Sequence, residues 1–174
     1  PVPQSRLITT LAGPPVGYLE LAAFINTAND PLRAAFADFQ ANGVTDLIID
    51  LRYNSGGLVA TADLLGDLLG GAVAENLTFT RTLYNADRSA DFDSEEFFEL
   101  LAGSINLSRL VVITTVATAS SAEIIINGME PHVEVTVVVE IAEAQECWIQ
   151  YRDRDGSVDS RLLAGGEVYT FTVE

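Results

Sequence analysis

The chain has 174 residues, 48% of them hydrophobic, and its 25 acidic side chains against 9 basic ones give a net charge of −16. Such a balance repels nucleic acid and anionic membranes, and no apolar run is long enough to span a bilayer, so the composition describes a soluble chain with one good core. All nine basic residues are arginine, and the absence of lysine beside this acidity fits high-salt adaptation, an engineered sequence or a biased composition.

Cys147 is the only cysteine, which excludes an internal disulfide and a cysteine-based metal cluster. The opening PVPQSR lacks the charged-then-apolar pattern of a signal peptide, so a cytosolic protein or a processed one is expected.

After a Gly-Pro-Pro turn, residues 16–25 (VGYLELAAFI) read as a strand. Asn29-Asp30-Pro31 starts a helix, since a capping side chain precedes a proline whose missing N–H costs nothing in the first turn. Leu32, Ala35, Phe36 and Phe39 share one face of it, and Gly43 closes it. The stretch 47–59, LIIDLRYNSGGLV, reads as a strand covered on both faces, a break at Asn54, Ser55, Gly56 and Gly57, and the start of a helix. Two glycines after a strand mark a place where main-chain N–H groups can face a ligand.

Leu58, Ala62, Leu64, Leu65, Leu68 and Leu69 carry that helix to Gly70-Gly71. Residues 77–84 alternate as a strand and 85–93 are polar. Ser94, Glu95 and Glu96 predict a short helix through Leu101 that Gly103 ends. Residues 109–115 form a β-branched central strand, 120–129 a helix and 133–141 a further strand. Alternating strands and helices with short links predict an α/β layer architecture, at least partly parallel. From residue 142 the pattern changes to short strands, 147–152, 158–163 and 168–173, separated by hairpin turns. Asp153-Arg154-Asp155-Gly156 begins like a calcium loop, but the twelfth position is Ala164, so it reads as a turn.

Ser120 follows a strand and opens a helix in VVITTVATASSAEIIING, where the helix N-terminus favours a nucleophile and a developing oxyanion. The same Ser120-x-x-Glu123 spacing is a capping box, in which the two side chains satisfy backbone donors. Both readings stand on the sequence.

Gly17-Tyr18 with Phe24, then LIIDLRYNSGG, then TASSAEI, in that order, resemble the C-terminal processing peptidases, or tail-specific proteases, over residues 16–138. The resemblance implies a crotonase-like α/β fold with a mixed or parallel sheet, and serine endopeptidase chemistry. It implies Ser120 as nucleophile with Glu123 as the acid following it. It also implies an oxyanion hole from main-chain N–H groups of Gly56 or Gly57 and of Ser121. Asp50 and Arg52 match motif residues, for which an ion pair holding strand to turn is the simpler role. A periplasmic or secreted location and an extended peptide or protein segment as partner follow from the same likeness.

The resemblance also implies a lysine base soon after the strand at 133–138, and here no lysine exists. Arginine does not release a proton near neutral pH, and a lone serine hydroxyl is a poor nucleophile. His132, the only histidine, follows the helix that Ser120 opens and is expected at its far end. An inactive or very slow enzyme is therefore expected. The tail, 139–174, separately resembles the C-terminal β domain of RodZ-type cell-shape proteins through Glu146-Cys147-Trp148-Ile149 and Leu162 to Gly166, with Trp148 as a sheet-packing residue. A junction in mid-fold suggests a recombined or designed chain whose tail extends the first sheet or pairs with another copy. The alternatives to a peptidase are an assembly module that self-associates through its sheet edges, and a peptide-binding module beside Gly56-Gly57. No metal or organic cofactor is implied.

Overall fold

The computed structural model describes residues 1–11, 13–141, 147–152, 158–163 and 168–173, of which 147–152, 158–163 and 171–173 are described by backbone alone. The turn at 153–156 and the side chain of Trp148 lie outside the described atoms.

Four parallel strands make the frame: β2 (Val16–Glu20), β3 (Asp46–Asp50), β6 (Arg109–Thr115) and β7 (Glu134–Glu140). β1 (Gln4–Ile8) adds antiparallel to β2 and β10 (Val168–Val173) antiparallel to β7, giving a six-stranded mixed sheet in the order β1-β2-β3-β6-β7-β10. Leu19, Leu47, Ile49, Leu110, Val112 and Val135 point to one side of it and are buried. They meet the apolar faces of α1 (Asn29–Ala41), α2 (Val59–Gly70) and α4 (Ser121–Met129), from which Phe36, Phe39, Leu65, Leu68, Ile125 and Met129 complete one core. The expected α/β architecture is the one found, and β8 (Cys147–Arg152) pairs with β9 (Val158–Leu163) as a small antiparallel hairpin.

Several sequence expectations are corrected. The strand expected over 16–25 ends at Glu20, because past the sheet the chain turns to meet the glycine pair, where Phe24 bridges Gly57. Asn29 does not cap α1: a 3-10 turn at Asn26–Ala28 already leads into the helix, and the Asn29 carboxamide accepts a hydrogen bond from Thr61 Oγ1 at 3.1 Å. The helix expected from Ser94 to Leu101 is instead strand β5 (Ser94–Phe97), paired antiparallel with β4 (Thr78–Thr82). Cross-strand partners decide this: Glu95 forms an ion pair with Arg81 at 2.8 Å and accepts the Thr78 hydroxyl. The polar stretch ahead of it holds a single helical turn, α3 (Ser89–Phe92).

The β4–β5 hairpin is anchored by two phenylalanines. Phe79 packs into notches at Gly66 and Gly128, where an added Cβ would lie 2.6 and 2.3 Å from its ring. Phe98, just past β5, fills the equivalent notch at Gly70 and lies 4.9 Å from Phe79 between ring centroids. Glycine within these helices costs propensity but admits an aromatic ring to the helix surface, which fixes β4 alongside α4.

Candidate active site

The parallel strands all end on the same side of the molecule, and the turns that leave β3 and β6 meet there. Leaving β3, the backbone takes φ 64 at Tyr53, 97 at Gly56 and 142 at Gly57. Leaving β6, it takes φ 58 and ψ −120 at Ser120 before α4 begins. A non-glycine residue in this conformation between strand and helix is a sharp, strained turn, and Ser120 and Glu123 form the expected capping box at the start of α4. Ser120 is exposed, whereas Ser121 is fully buried.

Asn54 holds the two turns together. It is fully buried; its carboxamide donates to Leu21 O at 2.7 Å and accepts from Gly56 N at 2.8 Å, and its own carbonyl accepts from Ala119 N at 3.2 Å. In the sequence Asn54 reads only as part of a break. A buried asparagine must satisfy both ends of its amide, and the Asn-Ser-Gly-Gly spelling was the available signal. The bridge continues through Phe24 N to Gly56 O at 3.1 Å, Leu58 N to Phe24 O at 2.7 Å and Ser121 Oγ to Gly57 O at 2.9 Å. Both glycines are required here. A Cβ at Gly56 would stand 2.7 Å from the Ser120 Cβ, and one at Gly57 would stand 2.1 Å from Phe24 O.

The main-chain donors expected to form an oxyanion hole divide. The Gly56 N–H is taken by Asn54 and is not an open donor. Among the described residues the N–H groups of Gly57 and Ser121 have no hydrogen-bond partner. In the first turn of α4, Ala122 N bonds Ala119 O, and Glu123 N and Ile124 N bond Ser120 O, which leaves Ser121 as the open donor at the positive end of the helix. Glu123 accepts the Ser120 N–H at 2.6 Å, so its carboxylate is committed to the helix start.

Asp50 and Arg52 make the expected ion pair, at 2.7 Å, and the clasp is wider than expected. Arg52 also reaches Glu140 at the end of β7 at 2.9 Å, and Tyr18 OH donates to Asp50 at 2.9 Å. Burial pushes the Asp50 carboxyl up, but the Arg52 guanidinium and N–H together with the Tyr18 hydroxyl outweigh it and hold Asp50 below the ordinary carboxylate range. The pair therefore braces the C-terminal ends of β3 and β7 beneath the site.

His132 lies beyond α4, as expected, and faces another neighbour. Its Nε2 is 3.3 Å from Thr78 O, and its ring stands edge-on to Phe98 at 5.0 Å. Beside Ser120 an open groove of about 490 Å³ runs between α4 and β4, lined by Val59, Phe79, Arg81, Thr82, Glu123 and Ile124 among others.

The model of Peptidase family S41 matches residues 15–154. The chain belongs to this peptidase family. Its S41 core is 30% identical over 122 residues to the chloroplastic C-terminal processing peptidase of Tetradesmus obliquus, an alignment that covers 66% of this chain and 23% of that protein. The fold matches a protein of Bacteroides fragilis NCTC 9343 described as a putative S41 protease, with a TM-score of 0.72 and 30% identity, covering 97% of this chain and 46% of that one. It also matches the photosystem II D1 C-terminal processing protease with a TM-score of 0.51 and 20% identity, over 91% of this chain and 38% of that one, a likeness of fold. The chain thus spans about a quarter of the curated S41 relative and under half of either structure. Among the described residues no helix is long and apolar enough to cross a membrane.

Proposed function

We propose that the chain is a serine endopeptidase-type S41 domain that binds extended peptide segments at Ser120 and hydrolyses them very slowly or not at all. The observation that supports this reading is the seating of Gly56 against Ser120, an exposed serine on a strained turn, with open N–H groups on Gly57 and Ser121 in the same two turns. In this reading Ser120 is the nucleophile. The two N–H groups receive the oxyanion that forms when a peptide carbonyl is attacked. Glu123 fixes the helix start, while Asn54, Asp50 and Arg52 hold the turns.

What limits turnover is the proton on Ser120. Serine attack requires a neighbouring group to accept that proton. The sequence contains no lysine, His132 is engaged with Thr78 and Phe98, and Glu123 is spent on the Ser120 N–H. A fluorophosphonate probe tests the framework: slow labelling that maps to Ser120 and disappears in Ser120→Ala supports it. No labelling on prolonged exposure removes Ser120 from the nucleophile role.

The same proposal takes residues 1–138 as a crotonase-like peptidase core and 139–174 as a β-rich tail. The pairing of β10 along β7 supports a tail that extends the sheet. A likeness of that tail to RodZ-type β domains rests on its sequence motifs alone.

A further inference from the structure

Tyr53 is built at a cost that the fold does not recover. Its φ of 64 lies in the left-handed region, which asparagine or glycine adopts readily and an aromatic residue does not. The side chain is 72% exposed, and neither its ring nor its hydroxyl has a partner among the described residues. Residues held in strained backbone without internal return concentrate at ligand sites.

Its position gives the ring a use. The turn passes Ser120 in steps, with Gly56 against Ser120, Asn54 O on Ala119 N, and Tyr53 N donating to Thr115 Oγ1 at 3.3 Å. Tyr53 therefore lies at the start of this turn, its N–H held at Thr115 by the C-terminal end of β6. At the other end of the turn the exposed Ile25 and Leu58 adjoin in sequence the Phe24–Gly57 bridge, and the exposed Val59 lines the groove beside Ser120. Exposed apolar side chains thus stand on the same two turns that carry Ser120, where an extended peptide crossing the site could meet them.

We infer that Tyr53 is a specificity-determining residue of this site, its ring forming a stacking face for one aromatic side chain of an extended peptide held across Ser120. This rests on the peptide-binding reading above. Aromatic stacking of this kind is a modest and geometry-dependent contact, enough to rank peptides.

The test is a positional scan of fluorescein-labelled Ala/Ser octapeptides, each carrying one phenylalanine, titrated by anisotropy against the full chain and its Tyr53→Asn and Tyr53→Phe variants. One Phe position is expected to bind the wild type best. Tyr53→Asn should weaken that peptide roughly five- to tenfold and erase the positional preference, while Tyr53→Phe keeps it. Relief of the strained backbone should raise the Tm of Tyr53→Asn by about 2–4 °C. Binding that is equally tight in Tyr53→Asn, or a fall in its Tm, overturns the inference and leaves the peptide site standing. Failure of the wild type to bind any peptide overturns both.

Discussion

Gly56 and Ser120 sit back to back: a single methyl group on Gly56 would lie 2.7 Å from the Ser120 Cβ, 2.9 Å from Ala119 O and 2.9 Å from Ser121 N. Adding a methyl there strikes backbone on two sides and also forces alanine into φ 97. Gly56→Ala should therefore cost about 3 kcal/mol, read as a lowered urea midpoint, and abolish fluorophosphonate labelling of Ser120 even at temperatures where the variant stays folded.

Asn54→Ala leaves the Leu21 carbonyl and the Gly56 N–H without their buried partner. The expected loss is about 2–3 kcal/mol in urea unfolding. A freed Gly56 N–H also loosens the turn, so Ser120 labelling should slow. Unchanged stability would show that Asn54 does not carry the bridge.

The Asp50–Arg52 clasp gives an acid limit. Because the folded-state pKa of Asp50 is depressed, its contribution is present above the ordinary carboxylate range and is lost as pH falls through the lower folded value. Arg52→Gln strands a buried carboxylate, and since Arg52 is 40% exposed the expected loss is about 2 kcal/mol at pH 7. Equilibrium unfolding should show this difference shrinking as pH falls, because Asp50 in the variant, buried and without its guanidinium, takes up a proton more readily than in the wild type.

Asp67 works in the opposite sense. Burial raises its pKa; Glu99 N–H, which it holds at 2.8 Å, lowers it, the carboxylates of Glu99 and Asp63 raise it, and Arg33 lowers it, leaving it pushed up to about 6. A raised carboxyl favours folding in its protonated form. That stability is full below the ordinary range and is lost as pH rises through about 6. Tm should accordingly be higher near pH 5 than at pH 8, and Asp67→Asn should flatten that slope while raising Tm at pH 8. An unchanged slope in Asp67→Asn would assign the effect to other groups.

How far the sequence could be read depended on the range of the determining contact. The α1 stripe of Leu32, Ala35, Phe36 and Phe39, the strands β3 and β6, and the strand-turn-helix at Ser120 are local patterns that fold as they read, except that β3 is not covered on both faces: Ile48, between the buried Leu47 and Ile49, is only half-buried. Ser94 to Leu101 reads locally as a capped helix, yet the Arg81 and Thr78 side chains across the hairpin make its first residues a strand. β1 carries no alternation and is a strand because the edge of β2 pairs with it. Within the site, the glycine pair and Ser120 were legible. The capture of the Gly56 N–H by Asn54 and the reach of Arg52 to Glu140, 88 residues away, depend on tertiary closure and leave no local mark.

The claim that Ser120 is poised but lacks a proton acceptor is tested most directly by steady-state hydrolysis of extended peptides with apolar C-termini, run side by side with Ser120→Ala. The account predicts that the wild type releases product at, or only slightly above, the background rate of Ser120→Ala. Robust turnover by the wild type that vanishes in Ser120→Ala would contradict it and reveal a base acting on that hydroxyl.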